Sequence, residues 1–231
     1  METNKISNFE DFSYTSKSLG IEINNNQLAL FEKYYATLLD WNKKINLISR
    51  KEDKILEKHF LDSILFLPEI EGLINQVEVG LKPTSTNVLD IGSGGGFPGI
   101  PLAIMKPEWN FTLCESIKKK VGFFNHVTKE LGLKNVKVIN ERVGAFHGTL
   151  LHPNNKYDLV TARAIAKLDV LIKYSLPLLK PGGSLIAYKA KDIDEEIKNA
   201  EKIIEKNKLK LKIFAKEINS IERKLVVITQ P

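Results

Sequence analysis

The 231-residue chain has one cysteine, Cys114, so it cannot close an internal disulfide. No set of cysteines and histidines has metal-ligand spacing, and no metal is expected. No run of about 18 apolar residues occurs, so no segment is expected to cross a membrane as a helix. The start, Met1-Glu2-Thr3-Asn4-Lys5, is polar, so a secretory signal is not expected either. Together these absences predict a cytoplasmic protein. Arginine is scarce: Arg50, Arg142, Arg163 and Arg223 are the only four among 34 basic residues. Where lysine is the default cation, each arginine is a candidate for a specific task.

At 43% hydrophobic and 27% charged, the composition is that of a globular protein able to bury a sizeable core. The net charge of +6 is uneven. Residues 1–85 carry 10 basic and 13 acidic side chains, residues 86–188 carry 13 and 7, and residues 189–231 carry 11 and 8. The positive field belongs to the later two-thirds, which favours a polyanionic partner or serves only solubility.

Residues 1–85 read as a helical N-terminal extension. Leu28, Phe31, Tyr35, Leu38, Trp41 and Ile45 recur at three- and four-residue spacing, the stripe of an amphipathic helix. Ser49-Arg50-Lys51-Glu52 fits a capping box, predicting a second helix that runs to Leu67 and stops at Pro68. Residues 80–87 read as a linker. From Val88 onward, short apolar runs alternate with helical patterns, and residues 86–231 read as one α/β domain. Strands are predicted at Val88–Ile91, Phe111–Cys114, Val136–Ile139, Leu159–Thr161 and Ser184–Tyr188. Helices are predicted at Ile100–Met105, Ile117–Leu131, Ala164–Leu179 and Ile193–Asn207. Leu209–Phe214 and Lys224–Thr229 follow with no helix between them, a closing hairpin. The fold is therefore Rossmann-like, a seven-stranded, mostly parallel sheet whose last strand is antiparallel.

The most informative stretch is Val88-Leu89-Asp90-Ile91-Gly92-Ser93-Gly94-Gly95-Gly96-Phe97-Pro98-Gly99-Ile100. A buried strand ends in a turn where Gly92, Gly94 and Gly96 let the backbone fold tightly and a ligand approach closely. Glu115 lies 23 residues after Gly92, at the end of the next strand. A carboxylate there accepts from ribose hydroxyls, so an adenosine-containing cofactor is predicted. The loop lacks the P-loop pattern. Asp90 would repel a pyrophosphate but suit the cationic sulfonium of S-adenosylmethionine, unless it only braces backbone N–H groups.

Four stretches together resemble a known family: Trp41-Asn42 with Asn46-Leu47-Ile48-Ser49, His59-Phe60-Leu61-Asp62-Ser63, Asp90 through Pro101, and Thr161-Ala162-Arg163-Ala164. The family is the bacterial 16S rRNA guanine-N7 methyltransferase G, also known as glucose-inhibited division protein B, a class I methyltransferase. The resemblance covers residues 30–230. It implies an S-adenosylmethionine-dependent enzyme acting on 16S rRNA of the small ribosomal subunit or its assembly intermediate. It places cofactor contacts at Gly92, Phe97, Val143, Gly144 and Arg163. The family commonly has glutamate where this chain has Gly144, so backbone groups or Glu141 are left to read the adenine.

Chemistry narrows the target atom. Pyrimidine C5 methylation needs a cysteine nucleophile, and Cys114 lies at the predicted ribose end. Exocyclic amino methylation usually goes with a polar-Pro-Pro-aromatic turn, and Thr161-Ala162-Arg163 stands there instead. Ribose 2′-O methylation uses a Lys-Asp-Lys-Glu set, for which Lys189 and Glu222 are two candidates. Guanine N7 needs no base, because its lone pair is free at neutral pH. Arg163, at the carboxyl end of a strand, can grip the cofactor, guanine O6 or a phosphate, or pair with Asp158 or Asp169. His59, Asp62 and Ser63 share a helix face that lines the substrate mouth or makes a local His–Asp bond. Lys189 is a phosphate contact, and Lys118, Lys119 and Lys120 form either a solvated face or further RNA contacts. The alternatives are methylation of another RNA atom or a small molecule, and a non-catalytic RNA- or nucleotide-binding assembly factor.

Overall fold

Strand side chains alternate between two apolar layers, as a sheet covered on both faces requires. Val88, Phe111, Leu113, Leu159 and Leu225 fall in one buried cluster; Leu89, Ile91, Cys114, Val160 and Val226 fall in the other. The computed structural model describes residues 6–75, 85–144, 156–189 and 193–231. Within them the strands are β1 (Asn87–Ile91), β2 (Asn110–Cys114), β3 (Val136–Ile139), β4 (Tyr157–Arg163), β5 (Leu179–Lys189), β6 (Lys210–Ile218) and β7 (Ile221–Thr229). They form one sheet in the order β3-β2-β1-β4-β5-β7-β6. β1 to β5 are parallel, and β7 runs antiparallel between β5 and β6. The chain builds outward from β1 to β3 and then restarts at β4 on the other side of β1. The crevice at the carboxyl ends of β1 and β4 is thus the switch point where open α/β sheets bind ligands.

The helices are α1 (Phe9–Ser18), α2 (Asn25–Asn42), a π-helical turn (Leu56–Leu61) continuing into α3 (Asp62–Ile64), α4 (Leu67–Asn75), α5 (Gly99–Met105), α6 (Lys118–Glu130), α7 (Leu168–Ser175) and α8 (Asp194–Lys206). Asn24 and Gln27 cap α2 reciprocally, each side chain accepting the other's backbone N–H at 2.9 Å. Phe12, Phe31, Tyr34 and Phe60 share a buried cluster with Phe97, Ile100 and Phe123.

Several local expectations are corrected. Ser49 does not cap a helix. Its hydroxyl accepts from the Lys51 N–H, while the Glu52 carboxylate turns forward to the Lys54 N–H and to Lys58. The helical stretch therefore starts later and opens as a π turn. Pro68 lies in the first turn of α4, where its missing N–H is no loss, and begins that helix rather than ending one. The helix expected over Ala164–Leu179 spans only Leu168–Ser175, followed by a 3-10 turn; Ala164 (φ 56°) and residues 165–167 form an irregular loop at the crevice. Ile117, expected within α6, precedes it and is 49% exposed, while Phe123, Phe124 and Val127 fill the core face of that helix. Most of the expected linker, residues 80–84, lies outside the described residues.

Candidate active site

The glycine loop is held from both sides. Gly92 N–H donates to Cys114 C=O at 2.9 Å, and Gly96 and Phe97 N–H both donate to Ser93 C=O. From α2, the buried Tyr34 hydroxyl donates to Gly95 C=O at 2.6 Å. Gly96 has φ +96°, and a Cβ there would stand 2.5 Å from Ile100 Cδ1 and 2.7 Å from the Tyr34 hydroxyl. Gly94 (φ +57°) differs, since a Cβ would meet only the Gly92 carbonyl at 3.8 Å. The loop thus offers bare backbone to a cleft of about 510 Å³, a size that suits a nucleoside.

Asp90 is fully buried behind this loop and is not among the cleft-lining residues. Its carboxylate accepts from the Gly99 N–H at 3.2 Å and the Thr161 hydroxyl at 2.7 Å, tying the start of α5 to β4. Burial pushes its pKa up, and these bonds oppose the rise. Glu115 lines the cleft at the end of β2. One of its oxygens accepts from the Ile117 N–H and the Ser116 hydroxyl, and the other has no partner among the described residues. That oxygen, the open loop and the cleft volume together fit the ribose of an adenosine cofactor. Cys114 donates to Glu141 C=O, and burial pushes its thiol up to about 12, so it is no nucleophile.

At the far wall, Val143, Gly144 and Tyr174 meet beside the cleft, Val143 and Tyr174 lining it. Gly144 has φ +89°, and a Cβ would lie 2.6 Å from the Tyr174 ring. The glutamate that the resemblance places here therefore meets both backbone strain and Tyr174. Gly144→Glu is expected to weaken S-adenosylhomocysteine binding by calorimetry about tenfold, and Gly144→Glu/Tyr174→Ala to recover part of the loss. Wild-type affinity in the single variant would contradict this.

Arg163 ends β4 with its guanidinium half-buried over the Phe97 ring, 5.0 Å from the centroid. It donates to Lys58 C=O at 3.2 Å and to His59 Nδ1 at 3.0 Å. The His59 ring stacks on Phe97 at 5.1 Å. Neither carboxylate expected as a partner reaches Arg163, because Asp158 pairs with Lys180 and Asp169 with Lys173. His59 does not bond Asp62 either, since Asp62 pairs with Arg223 at 2.6 Å. Lys189 is spent on Glu196 (2.5 Å) and Ala166 C=O (3.0 Å), and Glu196 also accepts the Leu168 N–H. That pair pins the loop after β4 and leaves Lys189 outside the cleft lining. Glu222 pairs with Lys224, so the two members of a ribose-methylating set do not assemble. Lys118 and Lys119 are exposed, while Lys120 and Arg142 line the cleft. Leu47, Ile48, Ile165 and Tyr174 also line it. None of the four was expected at the site, although Leu47 and Ile48 lie in one of the stretches that carry the family resemblance.

Burial, then the Arg163 charge, pushes the His59 pKa down to about 4. Its folded value lies below the ordinary 6.5, so its contribution to stability is complete above pH 6.5. As pH falls from 6.5 toward 4, the unfolded chain binds a proton that the folded chain refuses, and up to about 3 kcal/mol is lost. His59→Asn should lack this term, so the shift in urea midpoint between pH 7 and 4.5 should shrink. Equal shifts in both proteins would contradict the assignment.

Solved structures similar to this fold include the cofactor-bound Rv0187 from MTB (16% identity, TM-score 0.60, 96% of this chain and 97% of that one). Another is the O-methyltransferase TomG from Streptomyces achromogenes in complex with SAM (15%, TM-score 0.59, 100% and 99%). Among curated relatives, the ribosomal RNA small subunit methyltransferase G of Desulforamulus reducens is 45% identical over 191 residues, 82% of this chain and 75% of its own. That of Staphylococcus epidermidis is 37% identical over 215 residues, 90% and 84%. Residues 27–226 match the family described as rRNA small subunit methyltransferase G. That span takes in all but the first two residues of α2, the glycine loop and the Arg163 strand end, and the chain belongs to this family.

Proposed function

We propose that the protein transfers a methyl group from S-adenosylmethionine to N7 of a guanine in 16S rRNA, within the small ribosomal subunit or a precursor of it, in the cytoplasm. The observation that carries this reading is the cleft itself. It is lined by glycines and by Glu115 and Arg163, in a chain of this family, and its size and donor set suit a nucleoside. Among the described residues no helix is long and apolar enough to cross a membrane, and no acidic, histidine or cysteine cluster could hold a metal.

The bound cofactor supplies an electrophilic methyl on a sulfonium, and the rest is positioning. Guanine N7 presents a free lone pair, so the chain has to align it in-line with that methyl and exclude water, not deprotonate it. Glu115 and the backbone of the glycine loop would hold the nucleoside end. Arg163, bonded to His59 and Lys58, retains guanidinium N–H groups for guanine O6 or a flanking phosphate. Lys120 and Arg142 add positive charge to the cleft lining, which favours RNA phosphates.

Calorimetry with S-adenosylhomocysteine and with NAD, alongside transfer of labelled methyl to small subunits lacking the modification, tests the reading. Binding of the first ligand only, with label in RNA, is expected. Binding without transfer would favour the assembly-factor alternative.

A further inference from the structure

Only one of the two ring nitrogens of His59 is satisfied. Arg163 Nη2 lies 3.0 Å from Nδ1. A guanidinium can only donate, so Nδ1 is the acceptor and the neutral ring carries its proton on Nε2. Lys58 C=O takes another guanidinium N–H from the same turn, and the ring is stacked on Phe97. These contacts fix both the tautomer and the ring plane. Nε2 is shut off from water and has no partner among the described residues, while the side chain lines the cleft. A donor held in that way is costly unless something that enters the cleft accepts from it.

We propose that the Nε2–H of His59 is a ligand-binding donor, uncovered by a small shift of the cleft wall to serve an oxygen acceptor on the molecules that fill the cleft. The acceptor is the carboxylate of the cofactor's methionyl end or O6 of the target guanine, and the proposal rests on the guanine-N7 reading above. Both acceptors suit a group that can only donate. At position 6 of the purine, guanine offers an acceptor where adenine offers a donor, so a fixed N–H there selects guanine. A carboxylate would gain the neighbouring Arg163 charge as well. The ring's low pKa keeps this tautomer in place at neutral pH, with Nδ1 unprotonated for Arg163.

The test uses the full chain with ¹⁵N-labelled histidine, then His59→Leu and His59→Asn. The asparagine amide can keep Arg163 company but does not extend to the Nε2 position. Nitrogen shifts at neutral pH should show His59 protonated on Nε2 and bare on Nδ1; the reverse tautomer would overturn the proposal. Binding of S-adenosylhomocysteine is compared with that of 5′-methylthioadenosine, which lacks the carboxylate. Methyl transfer is compared between small subunits carrying guanine and those carrying 2-aminopurine, which lacks O6, at the target position.

If the carboxylate is the acceptor, both variants bind S-adenosylhomocysteine about tenfold more weakly and methylthioadenosine unchanged. If O6 is the acceptor, cofactor binding is unchanged and the wild type's preference of about tenfold or more for guanine over 2-aminopurine disappears in both variants. Equal weakening of both nucleosides, or no change in either comparison, would overturn the proposal. Should the wild type methylate another atom of the RNA, the guanine-N7 reading fails while the nucleoside comparison still decides the role of His59.

Discussion

Replacing Arg163 by alanine is expected to lower methyl transfer about 100-fold, close to 2.7 kcal/mol of transition-state stabilisation, while leaving the protein folded. The guanidinium is held by neutral groups alone, namely Lys58 C=O, His59 Nδ1 and the Phe97 face, and burial lowers its pKa. Among the described residues it forms no ion pair with a carboxylate. A partly desolvated cation held this way contributes little to stability, because its desolvation cost offsets what its neutral partners return. It is instead suited to an electron-rich ligand atom. Arg163→Lys should recover only part of the activity, because an ammonium lacks the planar fork of donors. The check is kcat/KM on small subunits together with a thermal melt. Near-normal turnover would remove Arg163 from the site, and a large fall in Tm would make it a structural residue.

Asp90→Ala should act in the opposite way, on stability first. Its carboxylate is fully buried and serves the Gly99 N–H and the Thr161 hydroxyl at once. Truncation leaves both donors unpaired out of water, costing about 3 kcal/mol, or roughly 6–12 °C in Tm for a chain of this size. The decisive comparison is the melt without cofactor. A carboxylate acting chiefly on the sulfonium would leave that melt unchanged and reduce only cofactor affinity. The geometry predicts a lower Tm in the absence of any ligand, with weakened binding following from the loosened loop.

The sheet is legible in the sequence because buried parallel strands announce themselves as short apolar runs between helical patterns. Val136–Ile139 has the expected bounds, and the closing hairpin pairs as anticipated, with β7 antiparallel to β5. Strand ends are less legible. β5 begins at Leu179 rather than Ser184, since its first residues pair across an irregularity beside Tyr157. The glycine loop and Glu115 are readable because their roles are local, a turn and a strand end.

What escapes sequence reasoning depends on contacts between distant segments. Nothing near Tyr34 in the sequence says that its hydroxyl reaches Gly95, 61 residues away. Nothing near Gly144 says that Tyr174 lies against it. His59, Asp62 and Lys189 stand out by spacing or strand position, yet their partners Arg163, Arg223 and Glu196 are chosen by packing. The Ser49 box fails for the converse reason: a good local cap is outcompeted by Glu52 turning to Lys54 and Lys58.

The most direct test is transfer of labelled methyl to small subunits lacking this modification, followed by strand cleavage specific for N7-methylguanine. Cleavage at a single guanine of 16S rRNA is the predicted result, and it reports the reaction, the atom and the substrate together. Label incorporated into the RNA without such cleavage would contradict the assignment of N7.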